Sequence, residues 1–114
     1  MPPLTEATMA KFLIKATYNA EGAKGLIKEG GTARRAAVQK LVESQGGKLD
    51  AFYYAYGDDD ALIIVDLPDA TKGLAITLAV NASGAVRLTT VPLITPEEID
   101  QAARTSVAYK APGS

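Results

Sequence analysis

Apolar and polar positions alternate most sharply in residues 51–69, AFYYAYGDDDALIIVDLPD, where two strand-like runs flank a Gly57-Asp58-Asp59-Asp60 turn. Phe52, Tyr54 and Tyr56 fall on one face of the first run and Ala51, Tyr53 and Ala55 on the other. Leu62, Ile63, Ile64 and Val65 are apolar toward both faces, which predicts a strand covered on two sides. Residues 11–18 repeat the alternation, with Phe12, Ile14, Ala16 and Tyr18 against Lys11, Leu13, Lys15 and Thr17. Residues 86–94 form a fourth strand, with Val86, Leu88 and Thr90 facing one way and Arg87, Thr89 and Val91 the other. Pro92 marks an edge position or a local break there.

Between the strands the period lengthens. Residues 20–29 predict a turn or two of weak helix, because Gly22 and Gly25 each cost about 1 kcal/mol in a helix interior. Gly30-Gly31 breaks the chain, and Thr32 is placed to cap a helix whose Ala33, Ala37, Val38, Leu41 and Val42 share a face, ended by Gly46-Gly47. Pro68 and Asp69 open another helix, with Ala70, Leu74, Ala75, Leu78, Ala79 and Ala82 as its apolar stripe and Gly84 as its stop. Thr95-Pro96-Glu97-Glu98 is a capping box for a last helix, stapled by Ile94 and Ile99. Val107 and Tyr109 are expected to dock before the Pro/Gly-rich end.

This order is the ferredoxin-like βαββαβ pattern of an α+β fold: a four-stranded antiparallel sheet, both long helices on one face, and an extra C-terminal helix. The other sheet face then carries strand residues that no intrachain element covers. A homo-oligomer, at least a dimer joined through that face, is the expected remedy.

At 114 residues and 47% hydrophobic, the chain holds one domain. That domain is expected over residues 9–112, with residues 1–8 a disordered leader and residues 113–114 a flexible tail. Twelve basic against thirteen acidic residues, net −1, leave no electrostatic footprint for nucleic acid or an anionic membrane. No apolar run is long enough to span a bilayer, and MPPLTEAT lacks the regions of a secretory signal, so a cytoplasmic location is expected. Without His or Cys, any chemistry falls to Tyr, Asp, Glu, Lys or Arg, and no cofactor is expected.

Among those residues, Tyr18, Tyr54 and Tyr56 either pack the core or line a pocket for a small apolar or aromatic ligand. Arg34 and Arg35, at a helix opening, suit a carboxylate or phosphate, or else an ion pair with a nearby Glu. Asp66 lies on the face of Leu62 and Ile64, where burial would demand a partner such as Lys15 or Arg87. The alternative is a general acid or base. The three Asp of the turn point apart and lack the spacing of a cation loop, so a solvated turn is expected, with Asp60 bonding the turn backbone.

The segments EGAKGLIKEGGTARRAAVQKLVESQGGKLDAFYYAYGDDDALIIVDLPD, VNASGAV and LITPEEID resemble the GYD domain family of small bacterial proteins, over Met9 to about Pro112. The family's Gly-x-Tyr-Asp turn falls on Gly57 to Asp60, with Asp59 in the place of the naming Tyr. The resemblance implies the dimeric α/β barrel assembly. That superfamily includes cofactor-free monooxygenases, muconolactone isomerases, haem-degrading enzymes, chlorite dismutases and members with no assigned activity. Three functions are therefore carried forward. One is an oligomeric small-ligand-binding module with its pocket between sheet and helices. Another is a cofactor-independent isomerase or monooxygenase in which Tyr18, Tyr54 or Asp66 moves a proton. The third is a self-assembling structural protein without catalysis.

Overall fold

The computed structural model describes residues 9–114; the expected leader, residues 1–8, lies outside the described residues. In chain order the elements are β1 (Ala10–Tyr18), α1 (Ala20–Glu29), α2 (Gly31–Ser44), β2 (Lys48–Tyr54), β3 (Ala61–Leu67), α3 (Ala70–Ser83), β4 (Val86–Leu93) and α4 (Pro96–Arg104). The strands form one antiparallel sheet in the order β2-β3-β1-β4, which is the ferredoxin-like arrangement. Pro92 sits on β4, an edge strand, where a missing N–H costs least.

Register decides which face is core. Phe12 lies opposite Val65 and Ile14 opposite Ile63, and since successive side chains alternate, these four share a face. They are buried together with Leu67, with Val42 of α2 and with Ile76 of α3, so both long helices cover the same side. The opposite side carries Leu13, Leu62 and Ile64, each half-buried, and Tyr53, which is 71% exposed.

Three helical expectations are corrected. α1 is a full ten-residue helix rather than a weak turn or two. Asn19 caps it, its side-chain oxygen accepting from the Gly22 amide at 3.0 Å, while its side-chain nitrogen donates to the Gly84 carbonyl. Gly22 is no defect in this helix: a Cβ there would lie 2.3 Å from the Ala85 carbonyl oxygen, so glycine lets α1 approach the start of β4.

Thr32 does not cap α2. Gly30 joins the two helices alone, at φ 89°, and α2 begins at Gly31 with no side-chain cap bond. That left-handed turn brings the helix start forward, so Thr32 falls inside the first turn.

The stripe expected on α3 faces solvent. Gly73 and Ile76 are buried instead, with Thr77 and Val80 partly so, while Leu74 and Leu78 are 58% and 61% exposed. Because α3 is apolar nearly all round, periodicity singles out no face. Gly73 decides it by letting the helix close on Leu67 and Phe12, which a Cβ would meet at 3.4 and 3.9 Å.

The capping box of α4 forms as read. Thr95 Oγ1 accepts from the Glu98 amide at 3.0 Å, and Glu98 Oε1 accepts from the Thr95 amide at 3.1 Å. Yet every residue from 94 to 114 is exposed, including Ile99, Val107 and Tyr109. The expected docking of Val107 and Tyr109 therefore does not occur on this chain. No helix among the described residues is long and apolar enough to cross a membrane.

Candidate functional site

Tyr18, Arg34 and Tyr54 come together where β1 ends beside the α1–α2 junction. Tyr18 closes β1 on its helix-covered face. The end of that strand is pinned by the acidic turn: the Tyr18 amide donates to Asp60 Oδ2 at 2.8 Å, and the Asp60 amide donates to the Ala16 carbonyl at 2.8 Å. The Asp60 carboxylate thus holds a neighbouring strand rather than its own turn backbone. Asp59 lies 3.7 Å from Lys15.

Arg34 occupies the first turn of α2, with its side chain one-third exposed. Its guanidinium lies near enough to the Tyr18 hydroxyl to favour the ionised phenol and stands 3.9 Å from Glu29 Oε1. Burial pushes the Tyr18 phenol up from its ordinary value against the opposing pull of Arg34. Tyr54 donates its hydroxyl to the Gly31 carbonyl at 3.1 Å, and its ring meets Phe52 edge-on at 5.1 Å. Burial raises this phenol too, with nearby Tyr18 adding to the effect. Both phenols therefore stay protonated at neutral pH and serve as hydrogen-bond donors.

Two clefts flank this group. One of about 480 Å³ contains Tyr18 and Arg34, with Leu26, Val80 and Val86 on its walls. The other, about 630 Å³, places Tyr18 beside Tyr54, Tyr56 and Ile27. Both volumes suit a small molecule. Behind Arg34 a recess of about 30 Å³ runs toward the core, and among its lining residues only Tyr18 and Arg34 carry polar side-chain atoms. The ionisable groups of the 480 Å³ cleft, Tyr18, Glu21, Glu29 and Arg34, all belong to β1, α1 and α2. The half comprising β3, α3 and β4 supplies Ala79, Val80, Ser83, Ala85 and Val86.

The remaining expected residues lie elsewhere. Tyr56 stands beyond the end of β2 and is fully exposed on the rim of the larger cleft. Arg35 diverges from Arg34 toward Gln39 and Tyr53. Asp66 is on the opposite sheet face, so Tyr18, Tyr54 and Asp66 share no single cavity. Its partner is neither Lys15 nor Arg87 but Lys11, directly across from it in the ladder, at 2.9 Å.

Lys11 also reaches Asp50 Oδ2 at 2.9 Å. The hydrogen bond that Lys11 donates to Asp66, followed by the one it donates to Asp50, raises the Lys11 pKa, while Lys11 in turn lowers that of Asp50. Asp50 escaped the sequence reading because a ladder irregularity between Leu49 and Ala51 disturbs the simple alternation. Leu26 and Val80 escaped it as well, since nothing in residue type separates a cleft wall from a core position.

A sheet covered by helices on one face, with a ligand-sized cleft beneath them, defines an α+β fold of ferredoxin-like type with one candidate binding centre. The family model of the GYD domain matches residues 12–103, and the chain belongs to that family. No curated protein and no solved structure gives a match.

Proposed function

We propose that this GYD protein is an oligomeric module, working in the cytoplasm, that binds a small molecule in the cleft between sheet and helices. The observation that carries the reading is the Tyr18–Arg34 pair. A charged donor and a neutral phenol converge on a cleft that also holds Glu21, Glu29 and Ser83 and is otherwise walled by small and apolar residues, the combination of apolar lining and few polar groups that orients a ligand.

Assembly is the other part of the proposal. Among the described residues, Leu13, Leu62 and Ile64 on the open sheet face are only half-buried, and Tyr53 on that face and Ile99 on the amphipathic α4 are exposed. A nine-residue helix is marginal in water by itself. A second copy set against the sheet face answers both, by burying the open strands and giving α4 a surface to lie on.

Native mass spectrometry of the purified protein, followed by a thermal-shift screen with small apolar and aromatic compounds, tests both parts. The expected result is a dimer or larger species, and compounds that raise the melting temperature in wild type but not in a Val80→Trp variant with a filled cleft. A monomer under native conditions overturns the assembly. A screen with no cleft-dependent shift overturns the binding role.

A further inference from the structure

Resting on the binding role just proposed, we infer that the ligand of the 480 Å³ cleft is a monocarboxylate carried on a flat apolar body, with Arg34 and Tyr18 as the groups that read its charge. The chemistry of the cleft narrows the class from several directions. Arg34 has five N–H donors in a planar fork. Its contact with Glu29, at 3.9 Å, is too long for the paired 2.7–2.9 Å bonds of a bidentate carboxylate, so most of that fork remains to be used. Tyr18, kept protonated by burial, adds an O–H donor beside it.

Of the charged groups around the cleft, Arg34 is the least exposed: its side chain is 33% accessible, against 42% for Glu29 and 80% for Glu21. It is also the only charged residue bordering the apolar recess behind. An anion at Arg34 therefore meets the least exposed charge of the cleft, with the Glu29 carboxylate beside the guanidinium at 3.9 Å and Glu21 out in water.

Those same carboxylates argue against a dianion such as a phosphate monoester. One Arg cannot balance two ligand charges with Glu21 and Glu29 nearby, whereas one carboxylate matches one fork. The rest of the cleft describes the ligand's body. Gly22, Gly25, Ala79 and Ala85 keep the walls low and Leu26, Val80 and Val86 keep them apolar, which leaves space for fused or single rings beside Ser83, whose hydroxyl already donates to the Val80 carbonyl.

Titration calorimetry with three matched probes, 2-naphthoate, 2-naphthylmethanol and 2-naphthyl phosphate, tests the inference on the intact protein. Wild type is expected to bind 2-naphthoate at least tenfold more tightly than the alcohol, and more tightly than the phosphate. Arg34→Gln should erase the preference for the carboxylate while leaving alcohol binding within twofold, which also reports that the variant's cleft is intact. Arg34→Lys should recover part of it, and Tyr18→Phe should weaken 2-naphthoate severalfold.

Equal affinity of wild type for carboxylate and alcohol, or a preference for the phosphate, overturns the assignment of the ligand class and leaves the binding module standing. An Arg34→Gln variant that keeps the carboxylate preference overturns the role of Arg34. Binding of none of the three overturns the module as well. The wild-type comparison needs no variant, so a poorly folding Arg34→Gln would not shelter the inference.

Discussion

Tyr54 separates packing from hydrogen bonding at a single position. Its hydroxyl bond to Gly31 is exposed, so Tyr54→Phe should cost less than about 1 kcal/mol in urea unfolding. Tyr54→Ala removes a ring that is 42% exposed and lies against Phe52, and should cost about 1–2 kcal/mol, below the full cavity penalty of a buried aromatic. On the other sheet face, Asp66→Asn strips Lys11 of its first partner. With the Asp66 side chain 13% exposed and that of Lys11 39% exposed, the loss should be about 1 kcal/mol, between surface and buried pairs. Its pH dependence has a fixed sign. The Lys11 pKa is raised above 10.5 in the folded state, so its contribution is fully present below that value and fades as pH rises through the folded pKa. Melting curves at pH 9 and pH 11 should show a smaller alkaline drop in Asp66→Asn than in wild type.

At the scale of elements, two glycines of one helix should respond in opposite directions. Gly22→Ala drives a methyl group into the Ala85 carbonyl and should destabilise by about 1–3 kcal/mol through overpacking. Gly25→Ala meets nothing within 4 Å and should stabilise α1 by roughly 0.5–1 kcal/mol. Denaturant midpoints of the two variants check the pair. Strands were legible in residue order because period two leaves no freedom: once Phe12 and Ile14 face the core, Leu13 and Lys15 cannot. The Thr95 box was legible for a similar reason, since its two bonds join residues three apart. α3 was not, because Leu74 and Ile76 are equally apolar and only the close approach at Gly73 chooses between their faces. In the candidate site, Arg34 and Tyr18 could be singled out as residues able to hold an anion or a ring. Their meeting depends on the turn at Gly30, whose geometry no residue type announces.

For the whole molecule, the open sheet face and the exposed α4 make separable predictions. Light scattering should give at least a dimer for wild type, and Ile64→Asp, which places a charge in the middle of the open face, should shift the mass to that of one chain. In that monomeric background, ending the chain after Leu93 should move the melting temperature by no more than about 2 °C, since residues 94–114 are exposed on their own chain. The same truncation in the wild-type background should weaken assembly. The unequal contribution of the two chain halves to the cleft has a different consequence, one that concerns how such a protein changes over time. On the proposed binding role, the ionisable groups of the cleft all lie on the first half, whereas its small and apolar walls are shared between Gly22, Gly25 and Leu26 of α1 and Ala79, Val80, Ala85 and Val86 of the second half, so head-group chemistry is written in one stretch of the gene and body shape partly in another. A lineage could exchange the charge it recognises through substitutions in residues 18–34 alone, and resize the accommodated skeleton through residues 79–86 alone. Neither change would have to wait for the other, so new ligand preferences lie within reach of single steps.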